Sequence, residues 1–378
     1  MNGLRYVSLY EPSGYGESAR RYLLGLASLG VPITWTPMVR GPEWGLGYQP
    51  FFGTSVGDPE LDRFCNRRID YDAVLLHLVP EYFPHWARIE RKPKLSYTTW
   101  ETERLPGPWP GLLHGAEMVM VPCQWNRQVF ERCGVTAPVE VVPHCLPGEL
   151  PPAAPIPTSG ELVFYSVNVW SDRKALDLTL RAYGKAFRRG ENVRLVLKTS
   201  PRHISYRVPF TGWSPLPARL CIAAERALRP RPPLTVLTDF VPGAEMDRLH
   251  ASSHCYVSLC RSEGWGMGAF DAAAAGRPVI MTGFGGQLDF LPEELAYLVN
   301  YRLVDVRPRL TDRWGHGHHW AEPDVEHAAA LMRHVYENRG EAREKGLQLS
   351  EFVRERFSAD AICRRMIRCI DTCVPCLS

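Results

Sequence analysis

The stretch Arg261-Ser262-Glu263-Gly264-Trp265-Gly266-Met267-Gly268-Ala269-Phe270-Asp271 decides how this chain of 378 residues folds. It follows the apolar run 255–259 and opens into the alanine-rich segment 269–275. A short apolar run, a glycine turn and then an apolar helix make one βα unit of a sheet buried on both faces. Glu263 falls in the loop before the helix, and Asp271 falls inside its first turns. Between them, Gly266, Met267, Gly268 and Ala269 present backbone amides at a helix N-terminus, where an anion is stabilised.

Working outward, the same alternation recurs. Short β runs are expected at 4–10, 31–37, 73–78, 95–99, 118–122 and 139–142, with helices at 17–29 and 124–133. Fifteen residues, 146–160, then hold five prolines and two glycines, which continue neither a helix nor a central strand. Beyond them strands are expected at 162–167, 193–199, 234–238, 255–259 and 278–281. Helices are expected at 175–188, 217–228, 244–250 and 266–275, and two or three more from 325 to about 373. Such alternation implies parallel sheets with helices on both faces. The expectation is α/β: two doubly wound halves facing a central cleft, with C-terminal helices. The boundaries read 1–148, a linker at 149–160, 161–355, and a final helix at 356–378 packing back on the first half.

Bulk properties narrow the class. Apolar content of 45% and charged content of 22% are those of a globular protein. Net charge is only +3, so no nucleic-acid partner is expected, while contact with anionic lipid heads is permitted. The first ten residues lack the pattern of an export signal, and no apolar run is long enough to span a bilayer. The expected location is the cytoplasm, including the inner face of its membrane. Eleven scattered cysteines then read as thiols rather than as a disulfide frame. His316-Gly317-His318-His319 fits no defined zinc set, and Cys369-x3-Cys373-x2-Cys376, though spaced as in cluster-binding radical enzymes, has no barrel after it to hold a substrate, so no metal and no resident cofactor are expected.

Ligands of doubly wound sheets gather at the carboxyl ends of the strands, which puts the strand-to-helix turns first. Gly14 and Gly16, after the first strand, would let a backbone approach an anion. Gly14-x-Gly16-x-x-Ala19 also meets the dinucleotide pattern, but no acid follows at the end of the second strand until Glu43. Arg173 and Lys174, at the start of a helix, oppose its dipole, which suggests a clamp on a diphosphate. Along 263–271 an acceptor, an anion site and a second acceptor stand in the order of the sugar, diphosphate and ribose of a nucleotide sugar. Trp100 and Glu101, at a strand end, are candidates for contact with an acceptor.

Glu263-x7-Asp271 in its glycine turn resembles the Glu-x7-Glu signature of retaining glycosyltransferases with the GT-B fold, in particular glycosyltransferase family 4. Ser13-Gly14-Tyr15-Gly16-Glu17, the strand 73–77 ending in His77, Arg173-Lys174 and Val142-Pro143-His144 extend the similarity along most of the chain. The resemblance implies that Glu263 binds hydroxyls of the donor sugar and Asp271 the ribose. Arg173, Lys174 and the amides at 267–269 would hold the diphosphate, Gly16 would close over the donor, and His77 would sit against the sugar ring. It also implies metal-independent transfer from a UDP- or GDP-sugar to a glycan or lipid-linked hydroxyl, with retention. Asp271 is one methylene shorter than the usual Glu. Rival readings are an epimerase or hydrolase on the same fold, a nicotinamide oxidoreductase, and a non-catalytic nucleotide-sugar-binding protein.

Overall fold

A computed structural model describes residues 1–41, 47–148, 156–207, 215–227, 232–241, 243–306 and 317–374. The chain divides into two compact units. The first comprises Met1–Trp100, Arg104–Glu149 and Arg356–Ser378; the second comprises Leu150–Glu355 together with Glu101–Glu103.

The first unit is built on a seven-stranded sheet. In chain order its strands are β1 (Leu4–Leu9), β2 (Ile33–Arg40), β3 (Tyr48–Pro50), β4 (Ala73–His77), β5 (Lys94–Tyr97), β6 (Met118–Val121) and β7 (Val139–Val141). They lie in the order β3-β2-β1-β4-β5-β6-β7, and every pairing is parallel except β2 with β3. β3, three residues ending in proline, escaped the sequence reading because so short an edge strand carries no periodicity. Ser13 caps the helix Gly14–Ser28, and Cys123 caps Gln124–Arg132. The last helix, Ala359–Cys373, is capped by Ser358 and packs on Gly14–Ser28, where Gly25 leaves room for the Cys363 sulfur. Val74, Leu76, Val119 and Val121 pack with Trp86, Trp109 and Phe130 into one core.

The second unit repeats the plan. Its strands are β8 (Leu162–Val167), β9 (Val193–Lys198), β10 (Arg202–Arg207), β11 (Pro215–Pro217), β12 (Leu234–Leu237), β13 (Cys255–Ser258), β14 (Val279–Thr282), β15 (Tyr297–Val299), β16 (Tyr301–Asp305) and β17 (His319–Pro323). Six form a parallel sheet in the order β12-β9-β8-β13-β14-β15. β10 with β11 and β16 with β17 are separate antiparallel pairs, absent from the sequence expectation. Phe164, Leu195, Leu197, Val257 and Ile280 fill the core beneath Leu176–Ala186 and Val325–Glu337. Both expected features of the fold class, parallel sheets and βα alternation, are present in each unit. Residues 149–155 of the proline-rich segment and all of Arg229-Pro230-Arg231 lie outside the described residues.

Candidate functional site

Strand order locates the crevice of the second unit. From β8 the chain goes to β9 on one side, while β13 leads to β14 on the other. The loops leaving β8 and β13 therefore diverge at the carboxyl ends of two adjacent strands, the place where doubly wound sheets take ligands. They are 168–175 and 259–266, and they hold Arg173, Lys174 and Glu263.

These loops are locked together by their backbones. The Arg261 amide donates to the Arg173 carbonyl at 2.7 Å, and Arg173 Nη1 donates to the Ser262 carbonyl at 2.8 Å. Glu263 is only 5% exposed, so its charge needs close partners. Arg173 Nη1 lies 3.2 Å from its Oε2, and Lys174 Nζ donates to Oε1. Burial alone would push the Glu263 carboxyl up, but Lys174 and then Arg173 hold it below the ordinary carboxylate value. On its other side Arg173 Nη2 lies 3.2 Å from Oε1 of Glu101. Burial opposes the Arg173 charge, yet Glu101 and then Glu263 raise the guanidinium above its usual value.

Contrary to expectation, Arg173 and Lys174 do not stand at a helix start. The helix runs Leu176–Ala186, and its N-cap, Ala175, is left-handed at φ 44°. Both cations precede that residue and are neutralised by carboxylates instead of lying over the helix N-terminus.

The helix after Glu263 runs Met267–Ala274, with Gly266 at φ 95° as its N-cap. A side chain is strained at that φ, and the α-carbon lies beside Glu263: an added Cβ would stand 3.7 Å from Cγ. Gly268 lets the helix approach β8, since a Cβ there would meet the Tyr256 hydroxyl at 2.7 Å and the Val167 carbonyl at 3.1 Å. Ala269 is removed from the expected anion site, because its amide donates to the Gly266 carbonyl at 3.0 Å. The Met267 and Gly268 amides have no partner among the described residues. Asp271, half-buried, shares a helix face with both by its spacing of three and four residues.

The sequence reading missed the loop after β14. Gly285, at φ 107°, passes against the Glu263 backbone, and the Gly286 amide donates to the Glu263 carbonyl at 2.8 Å. Gln287 Oε1, Ser262 Oγ and Thr282 Oγ1 are buried polar atoms without a hydrogen-bond partner among the described residues. The signal was available: Gly283-Phe284-Gly285-Gly286 follows a strand directly.

In the first unit, Gly14 and Gly16 lie inside the first turn of their helix, not in a loop ahead of it. The Gly16 amide is taken by Ser13 Oγ at 3.3 Å, and a Cβ would stand 2.0 Å from the Glu11 carbonyl oxygen. Packing thus explains that glycine without a ligand. His77 ends β4 but is 1% exposed. Tyr6 holds its Nδ1 at 2.8 Å and Ser18 its Nε2 at 3.3 Å, with the Tyr15, Tyr22 and Tyr97 rings around it. Burial, and then His144, keep its pKa well below the ordinary histidine value. The expected sugar contact is therefore corrected: neither ring nitrogen is free for one. The Trp100 ring packs edge-on to Trp109, and its Nε1 donates to the Arg104 carbonyl.

No group of three or more His, Cys, Asp or Glu side chains among the described residues is arranged to hold a metal. His316 and Cys376 lie outside the described residues. No described helix is long and apolar enough to cross a membrane.

Two Rossmann-like units in one chain, each with a strand-order reversal, are the architecture of GT-B glycosyltransferases. The fold resembles Anabaena HepE, solved with UDP-glucose, at 12% identity and a TM-score of 0.66 over 98% of this chain and 99% of that one. It also resembles Thermosynechococcus elongatus sucrose-phosphate synthase, at 14% identity and a TM-score of 0.70 over 98% and 99%. The trehalose-6-phosphate synthase OtsA gives 14% identity and a TM-score of 0.64 over 99% and 100%. No curated protein matches the sequence. A family model does, across residues 124–366: the chain belongs to the family 4 glycosyltransferases in conflict systems.

Proposed function

We propose that this glycosyltransferase moves a sugar from a UDP- or GDP-sugar to an acceptor hydroxyl of a glycan or lipid-linked molecule, with retention and without a divalent metal. The observation that carries the reading is the pairing of Arg173 and Lys174 on buried Glu263, beside a helix start with two unpartnered amides. The UDP complexes of HepE favour uridine as the base.

Breaking the anomeric C–O bond leaves negative charge on the departing diphosphate. Preorganised cations and amides aimed at developing charge supply what is usually the largest catalytic term. Arg173, Lys174 and the Met267 and Gly268 amides fill that role here. Glu263 accepts hydroxyls of the sugar, Asp271 takes the ribose, and Gln287 supplies a further acceptor. In front-face attack the acceptor oxygen bonds to the anomeric carbon as its proton passes to the leaving phosphate. His77 has no sugar contact in this reading; it holds the end of β4 in place. The first unit is assigned to the acceptor, and the enzyme to the cytoplasm or the inner face of its membrane.

A thermal-shift screen tests the donor. A ligand at 100 times its Kd adds about 2.7 kcal/mol of stability. UDP or GDP and one of their sugars should raise Tm while NAD does not; a shift with NAD alone would replace this reading with an oxidoreductase.

A further inference from the structure

Both terminal nitrogens of Arg173 have protein partners. Its Nη1 serves Ser262 and Glu263, and its Nη2 serves Glu101. The two carboxylates are unlike. Glu263 has both cations and a side chain 7% exposed, whereas Glu101 is 29% exposed and has Arg173 as its only partner among the described residues. The side chains that follow Glu101 anchor it at this place. Thr102 Oγ1 bonds His318 Nδ1 at 2.7 Å, and Glu103 takes both the His319 amide and Nδ1 at 2.8 Å. The cluster holds two cations and two acids, so an entering diphosphate meets no net positive charge.

We infer that Glu101 is an internal competitor of the donor: it pairs with the Arg173 guanidinium and is displaced from it when a nucleoside diphosphate binds. This rests on the donor reading above and adds a residue that tunes donor affinity without touching the reacting bond. Glu101 is the partner that leaves, because water can receive its carboxylate and no second cation among the described residues holds it. Its displacement subtracts from donor affinity and frees the Nη2 edge for phosphate oxygens. The earlier expectation that Glu101 contacts the acceptor is replaced by this one.

The test is calorimetric titration of UDP into wild type, E101Q, R173Q and E101Q/R173Q at low salt. Glutamine keeps the size of the side chain and removes its charge. E101Q should bind UDP roughly threefold to fivefold more tightly, the upper range for a part-exposed ion pair. In the R173Q background the same change should have no effect, because the two residues act through one contact. Equal or weaker binding by E101Q would overturn the inference alone. Failure of all four proteins to bind UDP or, titrated in parallel, GDP would overturn the donor reading and this inference with it.

Discussion

Replacing Glu263 with glutamine strikes both structure and chemistry, and the geometry fixes the sign of each effect. One carboxylate oxygen accepts from Lys174 and the other faces Arg173 at 3.2 Å. Glutamine keeps one acceptor and turns an NH2 toward a cation, donor against donor. Breaking a buried ion pair costs about 3–5 kcal/mol, but both cations have an outlet here. Their side chains are 27% and 16% exposed, and Glu101 still holds Arg173. We therefore expect a smaller loss, about 1–3 kcal/mol, seen as a fall in Tm of roughly 2–10 °C for a unit of this size. Acid removes the difference. Glu263 has a lowered pKa in the folded state, so its stabilisation is complete above its ordinary value of 4.5 and disappears as pH falls through the lower folded value. Calorimetric melts at pH 7 and at progressively lower pH should show wild type and E263Q converging. Transfer should fall about 100- to 1,000-fold, the usual cost of losing a preorganised polar contact. A variant as active as wild type, or a stability gap that widens in acid, would refute the reasoning.

Three further expectations follow from single contacts. His77 stays neutral when folded but takes a proton when unfolded, so stability should fall below pH 6.5 with a slope of up to about 1.4 kcal/mol per pH unit. Denaturant titrations of His77→Gln should lack that portion of the slope, and an unchanged slope would contradict the buried, neutral assignment. Gly16→Ala sets two effects against each other: helix propensity favours alanine by about 1 kcal/mol, but a Cβ 2.0 Å from a backbone oxygen forces a shift. The clash should win by about 1–2 kcal/mol in chemical denaturation, and a stabilised variant would show that the turn yields. Transfer should also survive EDTA, and a loss reversed by added Mg²⁺ or Mn²⁺ would end the metal-independent reading.

What the sequence revealed tracks how local each feature is. Strand β8, bounded correctly at 162–167, and the Glu263–Asp271 turn announce themselves through contiguous apolar runs and adjacent glycines. Hairpins β10–β11 and β16–β17 do not, because their pairing lies outside the main sheet and adds no alternation pattern. That the turns of Arg173 and Glu263 meet at one crevice was legible from the strand-end rule, but their direct pairing was not, since 90 residues separate them. Glu101 is 72 positions from Arg173, and nothing in Trp100-Glu101-Thr102 shows which cation it meets. His77 entered the expected site through the family resemblance alone. Its burial is not legible in Ala73–His77 by itself, because the packing of Tyr6, Tyr22 and Tyr97 around it comes from distant parts of the chain.

The central claim is that Arg173 and Lys174 hold the diphosphate of a sugar nucleotide, and titration of UDP into wild type and R173Q/K174Q measures it most directly. Each lost charge-assisted contact is worth about 1.5–3 kcal/mol, so the double variant should bind at least 100-fold more weakly. Wild-type affinity in R173Q/K174Q would contradict the account.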